Sequence, residues 1–400
     1  MNMLAKNILV IIVTALLSGL PFRTFGAPSL NSEQRRLLDI YVRPFENFPT
    51  QVRWTTLQKS ASPLSLRNTP ISGLKYNYQG REYSLDEYFQ RQPVTALLVY
   101  KNGSIVFEKY QYSGSATALY YSASIAKSLV GIAVTHLEES GKIKSQEDAL
   151  GEYVTELRGT PLGEASIRNH MRMGSGVKFS ENHTDSGVYD DHSRFIQTVE
   201  SQGLKTAFKA VTSQEVAQGS RFSYIGVSSG ALSTLVKSTT GKNTAQYFSD
   251  EVWSRIGTEG RAYWIEDSDG ETWGYCCFLG RARDYLRLGI VLANGGRRPD
   301  TNEQIISPKL FFRISNLNNV EPPFKPPAMK GALAYDSQFW LSTRVPESFA
   351  LIGLYGQILV VNPRSSLVIV HFGMSGSRSD VNPLNDERNA MIGGLFVALK

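Results

Sequence analysis

The sequence predicts an α+β fold: an antiparallel sheet flanked by N- and C-terminal helices, with a helical lobe inserted between its strands. Three observations point there. Val94 to Tyr100 and Ile105 to Tyr110 are β-rich runs joined by Lys101-Asn102-Gly103-Ser104, and Asn-Gly is a strong hairpin signal because both turn residues must take positive φ. A second set of β-rich runs comes late, at Gln338 to Thr343, Phe349 to Leu354, Ile358 to Asn362 and Ser366 to Phe372, the last two joined by Pro363-Arg364-Ser365. Between the two sets, Lys142 to Gly260 reads as helix and loop, with few β-branched alternations and frequent Gly and Ser.

The chain opens with Lys6, an apolar run from Ile8 to Leu17, Pro21, and Thr24-Phe25-Gly26 before Ala27. Residues 1–26 read as a signal peptide, because the run is shorter than the ~20 residues a membrane-spanning helix needs. The mature chain, 27–400, is therefore expected to be exported to the periplasm without a stable membrane span. A short helix is expected at Ser32 to Tyr41, within a Pro-dotted stretch from Ser29 to Gln92 that reads as a wrap around the main body. Ile125 to Ser140 is apolar almost all round and stops at Gly141, as a buried helix would. Further helices are expected at Ala282 to Asn294 and Asn385 to Lys400. The expected organisation is one unit of two lobes, an α/β lobe of about 83–140 plus 265–400 and a helical lobe of about 141–264.

Of 42 basic residues two, Lys6 and Arg23, fall in the leader, and the rest face 36 acidic ones without charge runs. That pattern speaks against nucleic acid. The two cysteines, Cys276 and Cys277, are chain neighbours that cannot form an ordinary unstrained bridge, so they read as buried small residues and stability must come from the core. The five histidines show no zinc-binding arrangement, and neither metal nor cofactor is expected.

The pattern Ser-x-x-Lys occurs at Ser72/Lys75, Ser124/Lys127 and Ser175/Lys178. Only Ser124 opens a helix, which brings a lysine three residues on to the same face and leaves first-turn amides free to donate. On an apolar helix Lys127 is desolvated. That disfavours its ammonium form and lets a neutral amine take the proton of Ser124. The bland reading is that Ser124 caps the helix while Lys127 snorkels to solvent.

The segment Tyr121-Ser122-Ala123-Ser124-Ile125-Ala126-Lys127-Ser128 resembles the nucleophile motif of the penicillin-recognising serine hydrolases, which include class C β-lactamases, D-Ala-D-Ala carboxypeptidases, esterases and 6-aminohexanoate-dimer hydrolase. Similar landmarks follow in order: Gly141-Lys142-Ile143; Ile167 to Gly176; Gly219-Ser220-Arg221-Phe222-Ser223-Tyr224; Gly280 to Gly289; and Gly353-Leu354-Tyr355-Gly356-Gln357. Ser175 to Glu181 and the Gly-x-x-Gly-Gln form of the last landmark look most like the 6-aminohexanoate-dimer hydrolase branch. The resemblance implies a β-lactamase/DD-peptidase-like fold and an acyl-enzyme on Ser124 formed from a small ester or amide. It gives Lys127 and Tyr224 the base and acid roles, and places the oxyanion at the Ser124 N–H and one N–H from Gly353, Leu354 or Tyr355. Three departures stand out: Tyr224-Ile225-Gly226 lacks the family's amide side chain, Leu351-Ile352-Gly353 lacks Lys-Thr-Gly, and His183 stands where the branch often has a pocket tyrosine.

Two alternatives remain. One is a non-catalytic penicillin-binding-like sensor that has kept the fold and lost turnover. The other is an α/β-hydrolase using Ser228, since Gly226-Val227-Ser228-Ser229-Gly230 is a formal nucleophile elbow with Asp284 and His371 downstream. The short polar stretch before it is not the buried parallel strand such an elbow requires. Asp284 instead reads as a helix-start cap, and His170 as a structural residue at a helix end.

Overall fold

The computed structural model describes residues 27–43, 52–181, 189–325, 332–341, 345, 347–375 and 383–400. The expected signal peptide lies outside them. The larger sheet comprises, in chain order, Arg67–Asn68 (β1), Val94–Lys101 (β2), Ser104–Tyr110 (β3), Ala334–Asp336 (β4), Phe339–Leu341 (β5), Phe349–Gly353 (β6), Gln357–Asn362 (β7) and Leu367–Gly373 (β8). Its order is β4-β5-β6-β7-β8-β2-β3-β1, with only the short β1–β3 pairing parallel. The β2–β3 turn uses Asn102 at φ 46° and Gly103 at φ 93°, as the dipeptide requires. β8 pairs with β2, Val370 opposite Leu98, which closes the two ends of the chain into one sheet.

Both faces of β2 are apolar because both are covered. Ala96 and Leu98 face a core shared with the helices, while Leu97 and Val99 share a second core with Met391, Ile392 and Leu395. Five helices matter below: Ser32–Tyr41 (α1), Ile125–Glu139 (α2), Gly226–Thr240 (α3), Ala282–Ala293 (α4) and Pro383–Ala398 (α5). α1 starts where expected, fixed by a capping box between Asn31 and Gln34. α4 packs on β7, β8 and β2, and a Cβ at Gly289 would meet Val368 at 2.4 Å, so glycine sets that close approach. α2 is buried from Ile125 to Val134 and packs against α3.

A second, five-stranded sheet has the order Val42–Arg43, Leu119–Tyr121, Phe278–Arg281, Ala262–Glu266, Arg53–Leu57. It went unread because its strands are short and their partners distant, Arg53 facing Glu266. Part of the supposed wrap is thus sheet. Two further expectations fail. Asp284 does not cap α4, whose N-cap is Arg281; its buried carboxylate instead accepts the Glu259 and Gly260 amides and pairs with Arg287. A helix-start carboxylate serves whichever free amides approach it most closely, here those of a neighbouring loop. Cys276 and Cys277 are joined to each other as a disulfide, with Cys277 at φ 75°. A tight turn with one positive φ admits the link that chain adjacency argued against.

Candidate active site

Ser124 sits at the N-cap of α2 with helical φ and ψ and makes no side-chain capping bond. Its hydroxyl is left for Lys127, whose Nζ lies 3.0 Å from Ser124 Oγ. Lys127 is 3% exposed, so it does not snorkel. The same Nζ donates to the Tyr275 carbonyl at 3.0 Å and lies 5.0 Å from the centre of the Tyr224 ring. Tyr224, just before α3, packs on Trp340 and Tyr335 with centroids 5.2 and 5.8 Å away. The fold therefore brings Ser124, Lys127 and Tyr224 together.

The turn before the serine is held from three sides. Ser122 exchanges bonds with Phe278, its N–H donating to the carbonyl at 2.8 Å and its Oγ accepting the amide at 3.1 Å. Ala123 takes φ 44°, an uncommon region for a residue with a side chain, of the kind that collects at functional sites. The end of β6 abuts the same turn: a Cβ at Gly353 would lie 2.4 Å from the Ser122 carbonyl oxygen and 2.9 Å from Ala123 Cβ. Leu354, Tyr355 and Gly356 form the tight turn into β7, with Tyr355 at φ 62° and Gly356 at φ 100°. Tyr355, Ala123 and Tyr41 of α1 share one apolar cluster, so the N-terminal helix braces the site.

His371 anchors that turn from below. Burial, then the nearby Arg388, pulls its pKa down to about 3, so the ring is neutral. Nδ1–H then donates to the Gly356 carbonyl at 2.7 Å and Nε2 accepts from the Tyr88 hydroxyl at 2.9 Å. Gln357 adds donations to the Leu354 and Gly373 carbonyls. The first-turn amides of α2 expected to be free are in fact taken up locally, those of Ile125, Ala126 and Lys127 donating to the Ser122, Ala123 and Ser124 carbonyls, while the end of β6 meets the Ser122–Ala123 turn beside them.

The rival serine is placed otherwise. Ser228 is fully buried inside α3, near His170 (3.2 Å) and Ser175 (3.4 Å). His170, brought to about 4 by burial, bonds the Leu162 carbonyl with its other nitrogen. Asp284 and His371, the other members of that alternative, have the separate partners given above, and no strand leads into α3. Lys75 pairs with Glu82 on a surface hairpin, and Lys178 is exposed. His183 lies outside the described residues.

Sequence reasoning missed the Tyr275 carbonyl, Ser122 and Tyr41. Backbone carbonyls carry no residue-type signal. It also missed Glu181, whose carboxylate, 5% exposed, accepts the Gly226 amide and lies 3.4 Å from His192. Glu181 and His192 thus close on the glycine that stands in for the absent amide. No group of three or more His, Cys, Asp or Glu able to hold a metal occurs among the described residues.

A serine and a buried lysine thus lie one helical turn apart against the end of β6. Residues 85–373 match the Beta-lactamase family model, and the chain belongs to that family. It is 23% identical over 297 residues to the 6-aminohexanoate-dimer hydrolase of Paenarthrobacter ureafaciens, covering 72% of this chain and 74% of that protein. Among solved structures it resembles a candidate 6-aminohexanoate-dimer hydrolase from Bacillus anthracis (TM-score 0.73, 22% identity, 87% of this chain and 90% of that one). It also resembles EstCE1, a hydrolase with promiscuous acyltransferase activity (TM-score 0.56, 14% identity, 75% and 94%). The fold is that of β-lactamases and penicillin-binding proteins. Among the described residues no helix is long and apolar enough to cross a membrane.

Proposed function

We propose that the protein cleaves an ester or linear amide bond of a small molecule through an acyl-enzyme on Ser124. The observation that carries this reading is the 3.0 Å approach of the buried Lys127 amine to Ser124 Oγ. Lys127 takes the hydroxyl proton as Ser124 attacks the carbonyl, Tyr224 shares the proton and passes it to the leaving group, and water then releases the acid. The oxyanion is held by the Ser124 N–H and one N–H of Gly353, Leu354 or Tyr355; losing one such donor typically costs ~2.7–4 kcal/mol. The 6-aminohexanoate-dimer hydrolases among its relatives support a linear amide as substrate class, and EstCE1 supports an ester. Glycine at position 226 and the absence of Lys-Thr-Gly argue against a β-lactam. The same glycine favours, as second reading, a sensor that is acylated without turnover.

In this reading residues 1–26 direct export, and the mature chain works in the periplasm as one domain, with an α/β lobe of about 83–140 plus 265–400 and a helical lobe of about 141–264. The test is intact-mass labelling with a fluorophosphonate, beside hydrolysis of a short-chain nitrophenyl ester, for the parent chain and for Ser124→Ala and Ser228→Ala. Loss of both signals in Ser124→Ala alone is expected. Loss only in Ser228→Ala overturns the site, and labelling without turnover on esters, amides or lactams selects the sensor.

A further inference from the structure

Away from Ser124, a cavity of about 350 Å³ is lined by Glu138, Arg168, Lys309, Phe312, Arg313 and Asn319. It lies at the far end of α2, where Glu138 occupies the last turn, and the chemistry proposed above uses none of its residues. Its lining holds three cations and one carboxylate, with Asp336 behind Arg168. Both arms of Arg168 are engaged by Asp336 at 2.5 Å. Arg313 is not so served: its nearest carboxylate, Glu138, is 3.8 Å away, beyond hydrogen-bond distance, and already accepts from Gln146. Burial and then the neighbouring Arg168 act against the Arg313 charge and outweigh the support it has from Asp336, Glu138 and Glu147. Lys309, exposed, forms no ion pair among the described residues.

Lys309 and Arg313 are four residues apart on helix Pro308–Ile314, which puts them on one face. Phe312 stands beside Arg313, 72% exposed, a large apolar group left in solvent at the rim of a charged cavity. Two crowded arginines, one of them incompletely neutralised, are relieved by an anion. A planar guanidinium fork matches a carboxylate in two parallel bonds. We propose that this cavity binds a small organic carboxylate, its oxygens on Arg313, with Lys309 as the second charge and the apolar body against Phe312. Glu138 acts as a built-in competitor that keeps the affinity modest.

The test is calorimetric titration of the full mature chain with benzoate and, separately, with inorganic phosphate. One benzoate per chain is expected, bound more tightly than phosphate. Arg313→Gln should weaken it about tenfold or more, the loss of a charge-assisted bond, and Lys309→Gln by less. Glu138→Gln should tighten it, and Ser124→Ala should leave it unchanged, which separates this cavity from the catalytic site. Circular dichroism checks that each variant is folded, and exposed Lys309 remains informative if Arg313→Gln is not. Failure of benzoate to bind, equal binding by Arg313→Gln and Lys309→Gln, tighter binding of phosphate, or weaker binding by Glu138→Gln each overturns the assignment.

Discussion

Gly353→Ala tests whether the edge of β6 and the Ser122–Ser124 turn form one rigid site. The added Cβ would fall 2.4 Å from the Ser122 carbonyl oxygen and 2.9 Å from Ala123 Cβ, where ordinary contact begins at 3.4 Å. Both sides of this contact are held: Ser122 is bonded to Phe278 through its amide and its hydroxyl, and Gly353 pairs with Gln357 across the turn. The strand edge must therefore move away from the serine by roughly 1 Å, a misplacement that can cost ~10²-fold in rate. Overpacking should also cost about 1–3 kcal/mol of stability, too little to unfold the chain. Turnover of a nitrophenyl ester should fall about a hundredfold in kcat with a small change in KM, while Ser124 is still labelled, more slowly, by the fluorophosphonate. A folded Gly353→Ala enzyme with kcat within threefold of the parent would refute both the close packing and the oxyanion role given to this edge.

Removing the amine in Lys127→Met should lower kcat by ~10²–10⁴, the usual worth of a positioned base, with the far-ultraviolet spectrum unchanged; near-normal turnover would assign proton removal elsewhere. Asp336→Asn leaves the buried Arg168 guanidinium short of its partner, and urea unfolding should show a loss of about 3–5 kcal/mol. Lowered in the fold to about 3, the His371 pKa lies below its ordinary 6.5, so its contribution is full above pH 6.5 and drains away as pH falls toward 3. Glu200, raised to about 7 by burial, works in the opposite direction over part of that range. The comparison is therefore made between parent and His371→Gln: their stability difference should shrink by up to about 1.4 kcal/mol per pH unit below 6.5, and a constant difference would contradict a neutral buried ring.

Much of the architecture was legible because its signals are local. Asn102-Gly103 demands its own turn, the Ser32–Tyr41 segment carries its own capping residues, and the stretch after Ser124, apolar almost all round, reads as a buried helix. The Ser124/Lys127 pair was legible for the same reason, since three residues on a helix fix who faces whom. The family likeness then pointed to Tyr224 and the Gly353–Tyr355 turn.

What escaped depends on partners far away in the chain. Arg53–Leu57 is a strand because Ala262–Glu266 lies beside it, and nothing in five residues announces that. Asp284 looks like a cap until the Glu259 and Gly260 amides are seen to be closer, and Cys276 and Cys277 look too near to bond until their turn is seen. The Tyr275 carbonyl on Lys127 and the press of Gly353 on the Ser122 carbonyl are backbone contacts, blind to residue type. By itself the sequence determined the locally encoded elements and the facing of Ser124 and Lys127, because turn chemistry and hydrophobic period act over a few residues. Only the tertiary structure decided what surrounds that pair, because strand pairing and close backbone approach are settled between segments that meet only when the whole chain has folded.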